Sequence, residues 1–460
     1  MGGIAPRIVL SPIKSPQKSI SETVKQALEL ARSKSDGPAP DPGPSSHAPV
    51  PSSPASQAEA EGEAETGPET VIICKPGTTS IAEPVVKDVE SSPTDLLRNL
   101  LDMTHVPPGT EPSHFKSIAQ TLMQGFELCV TSKSSVVTTY EFQEVEFYWY
   151  NQQSGHIDPF THAAEEQRVS GNWYFHRAPR RVPPNSQSTA PVPSPKTNGF
   201  RGGTRKGLDL TFGVPSTDTS TIAYGGILLR TLRNTQTKKV TCGPSLLVDE
   251  VLRSSEADSP ATLVGALWKG DTSAFLSPEA ELGPSRVFLR PVDRKGAKPP
   301  VMYSSPRIGL ELSRIQTAGE ATATHPRVRY VLRPYRFFTH PELMGPIRPQ
   351  TFYGLLLAQE AGQLTRSIAD VTGMKPIQIP TYSGYVEAGR NAGPKAIKDF
   401  VSEQGRGVGP VAPKFLKMAG VVECILDDSG GERVQKKQKL GPTLTSMFAG
   451  GSKKKAAKEA

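Results

Sequence analysis

The sequence predicts an α+β protein: a mixed, largely antiparallel β-rich core with flanking helices, a small helical C-terminal extension and disordered tails. Three observations lead there. Alternating runs rich in β-branched and aromatic residues recur between residues 134 and 340. Helically spaced segments broken by Gly and Pro fill residues 346–428. Low-complexity stretches occupy both ends.

Residues 1–95 include DGPAPDPGPSSHAPVPSSPASQ, whose few apolar side chains cannot offset the entropy of ordering the backbone. This is read as a disordered acidic head with one transient helix near Ser21 to Ser33. Ser11 and Ser15, in SPIK and SPQK, are either proline-directed phosphorylation sites or ordinary Ser-Pro pairs of a tail. Globular texture begins at Pro93 with TDLLRNLLDM. SHFKSIAQTLMQGFELCV then sets Phe115, Ile118, Leu122 and Phe126 at helical spacing.

SSVVTTYEFQEVEFYWY alternates as a strand does, and NWYFH and LDLTFG are further strands. Between the last two lies a Pro/Ser insertion, disordered over 178–199 and closed by the basic turn FRGGTRKG. GGILLRTLRN is a buried strand interrupted by Arg230. GPSLLVDEVLRS opens a helix at Pro244 and Ser245, where capping and a phosphate site are competing roles for the serine. SRVFLRPV, PRIGLEL and RVRYVLRPYRFFTH continue the β pattern and complete a domain over 96–345. TFYGLLLAQEAGQLTRSIADVTG, GPKAIKDFVSEQ and VAPKFLKMAGVV supply the helices of the extension. Residues 429–460 form a disordered basic tail.

The net charge of +8 is uneven. The head carries 8 Lys or Arg against 13 Asp or Glu and the tail 8 against 2, leaving the middle basic. Such a distribution suits a polyanionic partner. Four scattered cysteines, Cys74, Cys129, Cys242 and Cys424, form no CxxC pair and suggest neither a zinc site nor a disulfide framework. No leader-like or bilayer-length apolar run occurs, so a soluble intracellular protein without a membrane partner is expected.

The densest chemistry lies in EVEFYWYNQQSGHIDPFTH, residues 144–162. Strand alternation puts Glu144, Glu146, Tyr148 and Tyr150 on one face and Val145, Phe147 and Trp149 on the other, core face. A carboxylate beside a phenol ring suits a pocket that holds a flat ligand and supplies an acid or base. The alternative is an edge strand whose glutamates point into water. Glu144 takes the place of Glu146 only if the register slips by two. His156 reads as a loop surface residue, and Asp158, Phe160 and His162 lie on the loop leaving the strand.

The order of motifs resembles the alkyladenine (3-methyladenine) DNA glycosylase family. The likeness rests on EVEFY at 144–148, DPFTH ending at His162, GNWYFH at 171–176, ILLRTL at 227–232 and GPSLL at 243–247, with PRIGL and RPYRFF closing it. It implies the mixed α/β, partly barrel-like fold of those glycosylases, monomeric and without metal or organic cofactor. It also implies excision of alkylated or deaminated purines flipped out of duplex DNA. By position, Glu146 matches the carboxylate that activates water and Arg230 the arginine near the reacting centre. Tyr148, His162, Tyr174 and His176 fall in the base-stacking pocket, His176 standing where the family has a tyrosine.

The family's tyrosine-rich minor-groove wedge has no counterpart here. Arg201, Arg205 and Lys206 of the basic turn could grip DNA phosphates instead, or the turn is a solvated hairpin. For Arg230 the competing role is a buried ion pair with Glu146 or Asp209. A fold that binds nucleic acid without catalysis, or a scaffold acting through its tails, are the other functions open. In the tail, KLGPTLTSMFAGGSKKK resembles a sliding-clamp docking motif anchored by Leu444, Met447 and Phe448, against a plain basic tail. KKQK and SKKKAAK suit nuclear import, implying the nucleus, or tethering to DNA.

Overall fold

Strand β2 (Val137–Asn151) organises the fold because both of its edges are used. The computed structural model describes residues 92–178, 199–214, 223–276, 284–294, 296 and 298–429. Along one edge β2 pairs with β6 (Ala223–Asn234) for nearly its whole length. Its other edge is shared in turn by β1 (Phe126–Thr131), β10 (Arg336–Phe338) and β3 (His156–Ile157). The antiparallel sheet runs β4 (Trp173–Phe175), β5 (Leu208–Thr211), β6, β2, β1, β8 (Val287–Pro291). Strand β7 (Val240–Cys242) adds to β6 and β9 (Tyr303–Ser305) to β10.

Helix α1 (Pro93–Leu101) starts at a Ser92 cap whose hydroxyl accepts the Asp95 amide at 3.2 Å. Helix α2 (Glu111–Gly125) buries Phe115, Ile118 and Leu122 under the sheet. It stops one residue before Phe126. The helical spacing predicted through FELCV gives way there because Phe126–Thr131 finds partners on two strands at once, β2 and β8. With Val145, Phe147 and Trp149 these side chains make the first core; the Phe115 and Phe147 rings stack at 5.0 Å.

Helix α3 (Pro244–Ser254) opens at Pro244, but Gly243 caps it and Ser245 does not. The segment RVRYV, predicted as strand, is the short helix α4 (Pro326–Val331), started by Pro326 and by the His325 ring accepting the Arg327 amide at 3.1 Å. PRIGLEL is irregular rather than a strand. Its Ile308 amide donates to the Glu146 carboxylate instead of to a neighbouring backbone.

The C-terminal helices are α5 (Pro349–Glu360), α6 (Ile368–Thr372), α7 (Gln378–Ala392) and α8 (Ala412–Ser429). GPKAIKDFVSEQ, predicted helical, forms two 3₁₀ turns, Pro394–Asp399 and Ser402–Gly405. These elements bury a second core with Leu310, Leu312, Ile315, Val328 and Val331. Helix α7 escapes the sequence pattern because its packing rests on small residues. A Cβ on Gly389 would lie 2.1 Å from the Lys417 carbonyl oxygen, and one on Gly420 would lie 2.2 Å from that of Val386.

The fold is thus α+β, with an antiparallel curled sheet and helices on its faces. The predicted helix at Ser21 to Ser33, Ser11, Ser15, nearly all of the 178–199 insertion, and Leu444, Met447 and Phe448 lie outside the described residues. We expect Gly420→Ala to force α7 and α8 apart and to lower stability by about 1–3 kcal/mol in chemical denaturation; an unchanged midpoint would contradict that close approach.

Candidate functional site

The face of β2 opposite the first core is also buried. Glu144 retains 3% of its exposure and Glu146 none. The edge-strand alternative, with glutamates in water, is therefore overturned: β2 is paired on both sides, and residues 303–312 and α5 cover this face.

Two register irregularities shape it. Phe142 pairs with Leu232, Glu144 with Thr231 and Val145 with Leu229, so Gln143 and Arg230 are each passed over. The slip brings Arg230 and Thr231 together onto the carboxylates. Arg230 donates from Nε to Glu144 at 2.9 Å and from Nη1 to Glu146 at 3.3 Å. Thr231 donates to Glu144 at 2.5 Å. Glu146 also accepts the Tyr148 hydroxyl at 2.8 Å and the Ile308 amide at 2.7 Å.

Arg336 enters from the opposite edge. It pairs across the sheet with Glu146, donates from Nε to Glu144 at 2.6 Å, and from Nη1 to Ser305 at 2.8 Å and Thr351 at 3.0 Å. Two arginines thus compensate two carboxylates. Burial pushes the Glu144 carboxyl up, but Arg336, Arg230 and Thr231 outweigh it and hold it at about 2. Burial lowers Arg230, yet Glu146 and Glu144 raise it above its ordinary value. Burial first, then the Glu146 charge, raises the Tyr148 hydroxyl well above its usual range.

Beside Glu144 and Arg230 lies a partly open cavity of about 40 Å³, lined on one side by Pro341 and residues 344–348. It has room for a water or two. Small-ligand pockets are roughly 300 Å³ or more. The Cys242 thiol donates to the Met344 carbonyl at 3.3 Å and ties that lining segment to β7.

The remaining ring residues form a second group. His176 bonds Asp209 at 2.8 Å, and the His162 ring meets His176 edge-on at 4.1 Å and Tyr174 at 6.3 Å between centroids. His162 is exposed to solvent. Gln167 donates to Asp209 at 3.1 Å, and Gly226 is needed there because a Cβ would lie 2.5 Å from both side chains. Asp209, Leu228 and Glu146 are successive partners across β5, β6 and β2. The two groups therefore share one face of the sheet with Leu228 between them. Among the described residues no ring contact joins Tyr148 to His162, Tyr174 or His176.

In the basic turn, Arg201 donates to the Arg177 carbonyl at 2.8 Å, Arg205 is exposed, and Lys206 is paired with Asp249. The Ser245 hydroxyl donates to the Gly203 carbonyl at 2.8 Å and so pins this turn to α3. His156 is not on the surface: it is buried, bonded to the Trp149 carbonyl and the Tyr335 hydroxyl, each at 2.9 Å. Arg230 pairs with Glu144 and Glu146, leaving Asp209 to His176.

Sequence reasoning missed Arg336, Thr231 and Arg307. Arg307 is fully buried, closes an ion pair with Asp158, and lies over the Tyr148 ring at 4.6 Å. The signal for both arginines was a single charge inside an apolar run, in PRIGL and PYRFF.

No family model matches the chain. Over 208 residues it is 27% identical to an uncharacterized protein of Acanthamoeba polyphaga mimivirus, a match covering 43% of this chain and 78% of that one. Among the described residues no helix is long and apolar enough to cross a membrane, and no cluster of three or more His, Cys, Asp or Glu could hold a metal.

Removing Arg230 leaves Glu146 buried without a cationic hydrogen-bond donor. We expect Arg230→Ala to cost about 3–5 kcal/mol in urea unfolding, whereas a decrease of less than about 1 kcal/mol would mean that the network is not coupled. The depressed Glu144 carboxyl stabilises the fold fully above its ordinary value of 4.5, and this contribution is lost as pH falls toward about 2. Glu144→Gln should flatten the acid limb of a stability-versus-pH profile between those values. An unaltered limb would show that other groups control acid unfolding.

Proposed function

We propose that the protein is a monofunctional glycosylase that excises damaged purines from duplex DNA, with Glu146 as the group that activates water. The observation carrying this reading is the placement of Glu146: a buried carboxylate bonded to Arg230 and Tyr148 on one sheet face. The motif order assigns both of these partners to the same site. The family's mixed α/β fold is part of the same proposal.

In the proposed reaction Glu146 orients a water and takes its proton as the oxygen adds to the sugar C1′. The C1′–N9 bond breaks, and its electron pair leaves with the purine. A base already cationic from alkylation is a good leaving group, so one carboxylate suffices. Arg230 holds Glu146 in place, and the carboxylate stabilises the sugar as it becomes oxocarbenium-like. A nucleotide reaches this centre only when residues 341–348 move off Arg230, since the existing cavity is too small for a purine. In this reading His162, Tyr174 and His176, on the same sheet face beyond Leu228, supply further stacking faces for the extruded nucleotide. Duplex DNA as partner, nuclear localisation and clamp docking through Leu444, Met447 and Phe448 extend the same reading.

The small cavity favours a second reading, a nucleic-acid-binding protein of this fold without catalysis. Single-turnover assays on duplexes containing 3-methyladenine, hypoxanthine or ethenoadenine separate the two. Wild type should release base, and Glu146→Gln should be slower by about 10²–10⁴-fold. Salt-sensitive binding with no release by wild type would select the second reading, and equal release by both proteins would remove Glu146 from the chemistry.

A further inference from the structure

A line of cations leads away from Tyr148 that the Glu146 network does not use. Arg307 lies over Tyr148 at 4.6 Å and over Phe160 at 5.4 Å, and Arg327 of α4 lies over Phe160 at 4.8 Å. Ring and guanidinium thus alternate from Tyr148 through the fully buried Arg307 to the partly buried Phe160 and Arg327. The next charge is Arg314, which is exposed.

Charge matching stops part-way along this line. Arg307 is paired with Asp158, but among the described residues neither Arg327 nor Arg314 closes an ion pair. The nearby carboxylates are committed elsewhere. Asp158 belongs to Arg307, and Glu311 accepts the Ser313 hydroxyl at 2.7 Å and the Gly407 amide at 2.8 Å. Loss of hydration and the neighbouring Arg314 together lower Arg327 to about 10, with Asp158 and Glu311 opposing.

A half-buried guanidinium near a second one, with no ion pair of its own and carboxylates only at longer range, gains from an arriving anion. Two planar forks match the paired oxygens of a phosphate better than any single carboxylate. Arg329 and Arg333 line a different groove, of about 600 Å³, with Leu332 and Leu426.

We propose that Arg314 and Arg327 form a phosphodiester site that holds the backbone of a nucleic-acid strand at the outer end of the Tyr148 stack. This rests on the nucleic-acid reading above. It adds a second grip, separate from the basic turn of Arg201, Arg205 and Lys206.

The test is the salt dependence of binding to a fluorescent duplex, followed by anisotropy on the full chain. Removing one cation that neutralises a phosphate lowers the slope of log affinity against log salt by about 1. Arg314→Ala takes away an exposed side chain and should lower the slope by that amount. Arg327→Gln should do the same, and Arg327→Lys should restore the slope while keeping the packing on Phe160. If Arg327→Gln fails to fold by circular dichroism, Arg314→Ala and Arg327→Lys carry the test. Wild-type slopes in every folded variant overturn the site but leave DNA binding standing; no DNA binding by wild type overturns both. A parallel arm adds inorganic phosphate at constant ionic strength. Thermal protection of wild type but not of Arg314→Ala, with no change in the DNA slope, would make this a free-phosphate site and overturn the backbone assignment.

Discussion

One guanidinium lying between two carboxylates holds the candidate site together. Glu144 and Glu146 share a strand face two residues apart, and two buried like charges so placed repel strongly in a low-dielectric interior. Arg230 bonds both, and Arg336 adds a second cation from the other edge of β2. Without them the sheet face could not be covered by apolar helices. With them α5 and residues 303–312 can close over it, and the two cores meet across a polar seam.

That seam explains features that look unrelated. The irregular pairing near Glu144 is the geometric consequence of aiming Arg230 and Thr231 at the same pair of carboxylates. PRIGLEL stays out of the sheet because its Ile308 amide serves Glu146 and its Arg307 serves Asp158. The Tyr148 ring is held from above by Arg307 and through its hydroxyl by Glu146, so its orientation is fixed before any ligand arrives. Such preorganisation suits chemistry at a developing positive charge. The same interactions leave Glu146 wholly buried.

Much of the β-rich core was legible because period-two alternation reports on two faces at once. EVEFYWY placed Val145, Phe147 and Trp149 in the core, and a lone Arg230 in GGILLRTLRN marked a polar partner within an apolar strand. The cover over the other face was not legible, because its residues lie far along the chain and carry no local sign of what they cover. His156 was misjudged for a related reason: a histidine after a Gly turn looks exposed until the distant Tyr335 supplies its hydroxyl. Helix α7 was missed because Gly389 serves close packing rather than helix propensity, and α4 because Pro326 and His325 outweigh β-branched neighbours. Of the proposed site, Glu146, Arg230 and Tyr148 come together while His162, Tyr174 and His176 form a separate group, and the leucine between them could not be placed from one sequence.

The most direct test is a crystal structure of Glu146→Gln bound to a duplex carrying one hypoxanthine. We expect an extruded base against Tyr148, the sugar C1′ facing residue 146, and residues 341–348 displaced from Arg230. A duplex bound with every base still stacked, and those residues unmoved, would contradict it.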